Sequence, residues 1–79
     1  MNIPQNESED FMSKGILTKR ENEVFSLLIT NLTTREIANK LHISEKTVRN
    51  HISNVMKKLG VKGRSQAVVE LLKLNELSL

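Results

Sequence analysis

Residues 43–60 read Ile43-Ser44-Glu45-Lys46-Thr47-Val48-Arg49-Asn50-His51-Ile52-Ser53-Asn54-Val55-Met56-Lys57-Lys58-Leu59-Gly60. Val48, Ile52, Val55, Met56 and Leu59 recur at the helical period and cluster within about 100° of arc. The opposite face carries Lys46, Asn50, Ser53 and Lys57, with Arg49 and Asn54 on its flanks. An exposed helix ordinarily mixes both charge signs, with Glu and Lys paired four apart. Here no carboxylate follows Glu45, and the face offers amides, a hydroxyl and cations. Those groups bond base edges and phosphate oxygens. The stretch reads as a helix shaped for the major groove of DNA.

The segment before it supplies the support such a helix needs. Thr33-Thr34-Arg35-Glu36 is a capping box, in which Thr and a Glu three residues later satisfy each other's orphan amides. A short helix then runs through Leu41, with Ile37, Ala38 and Leu41 as its inner face. Ser44 caps the long helix after a three-residue turn. Ala38 is small where the two helices would cross, and Val48 and Ile52 sit where the second must pack on the first. Short helix, tight turn and longer helix, over about residues 33–52, have the spacing of a helix-turn-helix. His42 stands in the turn where Gly is usual and must tolerate the left-handed region.

Upstream, Leu17 precedes a second capping box, Thr18-Lys19-Arg20-Glu21, and Val24, Phe25, Leu28 and Leu32 form an apolar stripe. Glu21 projects to the stripe side. Either capping occupies its carboxylate or a buried partner such as an Arg does. Asn31 is placed to end that helix in a left-handed conformation.

Downstream, Gly60 stops the long helix, and Val61 is set for the hydrophobic contact of a Schellman end. Lys62-Gly63-Arg64 is a basic loop, read equally as a solvated linker or as a phosphate contact. Ser65 is expected to cap a last helix over about residues 65–75. Its apolar residues cover two sides, Val68 and Leu72 on one, Ala67, Leu71 and Leu74 on the other. The second side is expected to bury against another copy of the chain, through Ala67, Leu71 and Leu74; the alternative is one broad core.

Charge and composition narrow the function. The chain of 79 residues carries a net charge of +3. Glu7, Glu9 and Asp10 place −3 in the first twelve residues, leaving +6 for the rest. Residues 1–13 are expected to be a flexible acidic tail, and residues 14–79 a single domain. From Lys46 to Arg64 there are six bases and no acid, which marks an anionic partner. A membrane surface would need bulky apolar groups beside the bases, and none are there. With Phe11 and Phe25 the only aromatics, stacking on single strands is disfavoured. The deep A-form groove disfavours duplex RNA. Cysteine is absent, and His42 and His51 lie nine apart, so neither a disulfide nor a metal site is expected. Ser65, His51 and Glu70 can be strung into a triad on paper, but no nucleophile elbow accompanies them. No catalytic residue, cofactor or small-molecule substrate is expected. A protein-binding adaptor that lost DNA contact would show an acidic or apolar face on the long helix, which is not found.

Taken together, Leu17-Thr18-Lys19-Arg20-Glu21-Asn22-Glu23-Val24, Glu36-Ile37-Ala38, Ile43 to His51 and Lys58-Leu59-Gly60-Val61 resemble the LuxR-type DNA-binding domain, over about residues 16–75. Within that family, Ile43 to Leu72 looks most like a small sporulation regulator of spore-forming Gram-positive bacteria. The resemblance implies an all-α four-helix fold, a third helix that reads DNA, and a fourth used for homodimers. It implies base contacts by Arg49, Asn50 and Ser53, and phosphate contacts by Thr34, Ser44, Lys46, Thr47 and Lys57. It further implies transcriptional control of late sporulation (spore coat) genes in the bacterial mother-cell cytoplasm. RNA polymerase is a further expected partner, touched through the acidic side of the first helix near Glu23.

Overall fold

A computed structural model describes residues 15–78 of the chain. Four α-helices, and no strand, make up the described residues: α1 (Lys19–Leu28), α2 (Thr34–Leu41), α3 (Glu45–Leu59) and α4 (Arg64–Lys73). The expected acidic tail, residues 1–13, lies outside them.

Three helices start as their sequences require. Thr18 and Thr33 each accept the amide of a Glu three residues on, and Glu21 and Glu36 return the bond to the Thr amides. Ser44 accepts from the Thr47 amide at 3.0 Å. Each such cap stabilises a helix by about 1 kcal/mol. The fourth start differs from expectation. Gly63, not Ser65, is the N-cap of α4, and no side chain caps it.

Three helix ends share one device, whereas α1 ends at Ile29 in the right-handed region, two residues short of Asn31, where a left-handed end was expected. Asn31, His42, Gly60 and Asn75 all adopt positive φ, of 74°, 61°, 70° and 62°. At three of them the next amide reaches back five residues, the Schellman pattern: Ile43 to the Ala38 carbonyl, Val61 to Met56 and Glu76 to Leu71. The left-handed residue reverses the chain and satisfies carbonyls that the helix leaves orphaned. Gly adopts that conformation without penalty, yet only one of the four positions has it.

The third helix is the hub, packing against each of the other three. Val48, Ile52 and Val55 point from it into a core shared with Leu17, Val24, Phe25, Ile37, Ala38, Ala67 and Leu71. Ala38 lies in the buried crossing with α3, where a small side chain lets two backbones approach. Beyond α4, the turn at Asn75 folds the chain back and delivers Leu77 into the same core. Asn22 Nδ2 on α1 donates to the Glu76 carbonyl at 3.1 Å and fastens that return. Gly15 lies so close to the Glu76 carboxylate that a β-carbon there would collide with it.

One buried charge interrupts this core. Glu21 is 4% exposed, and its Oε1 accepts from the Thr18 amide at 3.0 Å and from Lys58 Nζ at 2.5 Å. Both readings of Glu21 therefore hold at once, with Lys rather than Arg as partner. Lys58 Nζ also donates to the Ile16 carbonyl at 2.9 Å. Lys58 is thus withdrawn from the basic face, to pin α3 against the start of α1.

Candidate nucleic-acid interface

Packing decides which side of α3 is available. With Val48, Ile52 and Val55 inward, the helical period turns Lys46, Asn50, Ser53, Asn54 and Lys57 outward, and all five are exposed. Arg49, on the flank of this face, is also exposed. The three expected base readers and both expected phosphate cations therefore share one open helix surface.

The hydroxyl-bearing residues gather at the N-terminal end of α3. Ser44 Oγ and Thr47 Oγ1 are 2.9 Å apart. One hydroxyl must donate to the other, which leaves a single O–H of the pair free for a phosphate oxygen. Thr34 stands differently. It is half-buried and donates its hydroxyl to Glu45 Oε2 at 3.0 Å, so its side-chain proton is already committed in the free chain.

Glu45 has no assigned role in the sequence reading, and the structure gives it two partners. Besides Thr34, its Oε2 faces Arg49 Nη1 at 3.8 Å, one helical turn along. A carboxylate four residues before an Arg was the visible signal; that Thr34 of α2 would reach the same oxygen was not visible. Around this cluster the N-terminal end of α3 adds the partial positive charge of its dipole, which favours anions.

The expected dimer residues separate. Ala67 and Leu71 are 0% exposed within a single chain, so neither is available to a second copy. Their face of α4 is the one that closes the core over α3. Leu74 is 50% exposed, because it falls at the C-cap where the chain turns away. Val69, 52% exposed, points to the side of α4 opposite the core. A shallow open cavity of about 510 Å³ lies beside it, lined by Gly60, Val61, Lys62, Ser65, Gln66, Val69 and Glu70. In the basic loop, the Lys62 amide donates to Gln66 Oε1 at 3.2 Å, while the Lys62 and Arg64 side chains are exposed.

A four-helix domain with a helix-turn-helix and a polar, cationic outer face on its third helix is a DNA reader by class. The family of bacterial regulatory proteins called luxR matches residues 15–71, and the chain belongs to it. It is a DNA-binding transcription regulator rather than an enzyme. The chain is 70% identical to the spore germination protein GerE of Bacillus subtilis (strain 168), over 90% of this chain and 96% of that protein. It is also 52% identical to the transcriptional regulatory protein DegU of Brevibacillus brevis, over 73% of this chain but 25% of that one. Among solved structures, that of the transcription factor GerE superposes with a TM-score of 0.80 at 60% identity, covering 82% of this chain and 97% of the other. The response regulator ChrA of a heme-sensing two-component system superposes at 0.73 and 35% identity, over 80% of this chain and 31% of its own. The chain thus spans nearly all of GerE and about a quarter to a third of the larger regulators it matches.

Proposed function

We propose that the chain reads a specific duplex sequence as a homodimer and controls late sporulation genes, spore coat genes among them, in the cytoplasm of the mother cell. The observation that carries the DNA reading is the exposed α3 surface of Arg49, Asn50 and Ser53, flanked by Lys46 and Lys57. Arg49 pairs with guanine and Asn50 with adenine, the bidentate matches that their geometry allows. Lys46, Lys57, the Ser44–Thr47 hydroxyls and the first turn of α2 at Thr34 set the register on phosphates.

Two copies related by a two-fold place their α3 helices in successive major grooves about one helical turn apart. With Ala67 and Leu71 enclosed, the dimer contact proposed is Val69 on the outer side of α4 together with Leu74 at its C-terminal end, the two large apolar residues left exposed. RNA polymerase is the partner proposed for the exposed side of α1 near Glu23, which pairs with Arg20 at 3.1 Å. The sporulation setting is supported by the 70% identity to a spore germination protein, GerE.

Selection of bound duplexes from a random pool, at two salt concentrations and with the oligomeric state measured in parallel, tests the whole. The expected product is a motif of two half-sites whose centres lie about one turn apart. Recovery of sequences with no shared motif would remove the base-reading claim.

A further inference from the structure

We infer that Glu45 is a positioning residue for Arg49, and that it converts general affinity for DNA into sequence discrimination. The inference rests on the reading of Arg49 as a base contact. Arg49 lies on the flank of the reading face, not at its centre, and its long side chain reaches either a base edge or a neighbouring phosphate. Phosphate capture strengthens binding to every duplex and informs none of it. Something must hold the guanidinium away from that outcome.

Glu45 is placed to do so. Its Oε2 lies 3.8 Å from Arg49 Nη1, and Thr34 Oγ1 fixes the same oxygen at 3.0 Å. Thr34 belongs to α2, so the carboxylate is anchored to a neighbouring helix rather than swinging on its own. The strap Thr34–Glu45–Arg49 also puts a negative charge at the edge of the reading face, the only acid from Glu45 through Arg64. That charge repels a phosphate from the position where Arg49 would otherwise hold one. An acid here lowers binding to all DNA; its place beside the reader is explained if it restricts where the guanidinium goes.

Three variants of the 79-residue chain test this: Glu45→Gln, Glu45→Asp and Arg49→Ala. Each is titrated against the duplex recovered by selection, its single-base variants, and a random-sequence duplex of equal length, over a salt series. Thermal melting checks the fold. Glu45→Gln should bind the random duplex tighter, by up to about fivefold, the upper end of what a surface ion pair contributes. Its salt slope should steepen by about one as Arg49 takes a phosphate. It should also lose preference at one base position, the same one that Arg49→Ala relaxes. Glu45→Asp keeps the charge but draws the carboxylate back by one methylene. It should lose that base preference without the full change in salt slope.

If Glu45→Asp keeps the wild-type base preference, only charge matters and positioning is wrong. The inference also fails if Glu45→Gln leaves the base profile intact while Arg49→Ala alters it; the reading of Arg49 then stands. An unchanged profile in Arg49→Ala removes both.

Discussion

Lys58 Nζ sits 2.5 Å from Glu21 Oε1, joining the third helix to the first across the wall of the core. The carboxylate is nearly enclosed, whereas the ammonium keeps about a third of its side chain in solvent. Removing one member is therefore not symmetrical with removing the other.

Lys58→Met leaves an enclosed carboxylate without its cation. For a fully buried pair that costs about 3–5 kcal/mol. Since Lys58 is part-exposed, about 2–3 kcal/mol is expected by urea denaturation. Glu21→Gln keeps an amide oxygen for the Thr18 N–H and should cost less. The double variant should recover part of the loss, and simple additivity would show that the two groups do not interact.

His42 should be replaceable by Gly with a gain. At φ 61° a non-Gly residue carries a steric cost of about 1–2 kcal/mol, partly offset because Gly is more flexible when unfolded. The expected net is about 0.5–1 kcal/mol, read as a rise of several degrees in Tm. Asn75→Gly should give less, since Asn tolerates this region better. A fall in Tm for His42→Gly would mean that the imidazole makes a stabilising contact.

Asn50→Ala should weaken the selected duplex by about 1–3 kcal/mol and relax specificity at one base. Lys57→Ala should weaken all sequences alike and reduce the salt slope by about one. Fluorescence anisotropy on selected and random duplexes separates them. Equal losses on both duplexes for Asn50→Ala would end its assignment as a base reader.

On α4, enclosed and exposed apolar residues should answer differently. Leu71→Ala opens a cavity in the core and should cost about 2–5 kcal/mol of stability. Val69→Asp and Leu74→Asp should leave melting nearly unchanged and shift analytical ultracentrifugation toward monomer. Undiminished association in that pair of variants would place the dimer elsewhere.

Leu77 gives a last test. It is 6% exposed although it lies outside every helix. Leu77→Ala should destabilise by about 2–3 kcal/mol, near the low end for a buried Leu at the edge of a core. An unaffected midpoint would show that the C-terminal return is not part of the folded core.

Periodicity, capping and turn residues were enough to read the helix-turn-helix. Such signals are local: apolar residues on one arc of α3, a Thr and Glu three apart, and a residue tolerant of positive φ at a helix end. The outward direction of Asn50 and Ser53 follows from the same arc, because the side opposite a buried stripe is open. Sequence alone could not sort the last helix, where apolar residues occur on more than one side. Which of them closes the core depends on which face α4 turns toward α3, and the packing buries Ala67 and Leu71 while leaving Val69 out. Partners far apart along the chain were equally hidden. Glu21 with Lys58, and Thr34 with Glu45 and Arg49, meet only once the helices have crossed, since a side chain's reach is a few ångströms in space and has no counterpart in the order of residues.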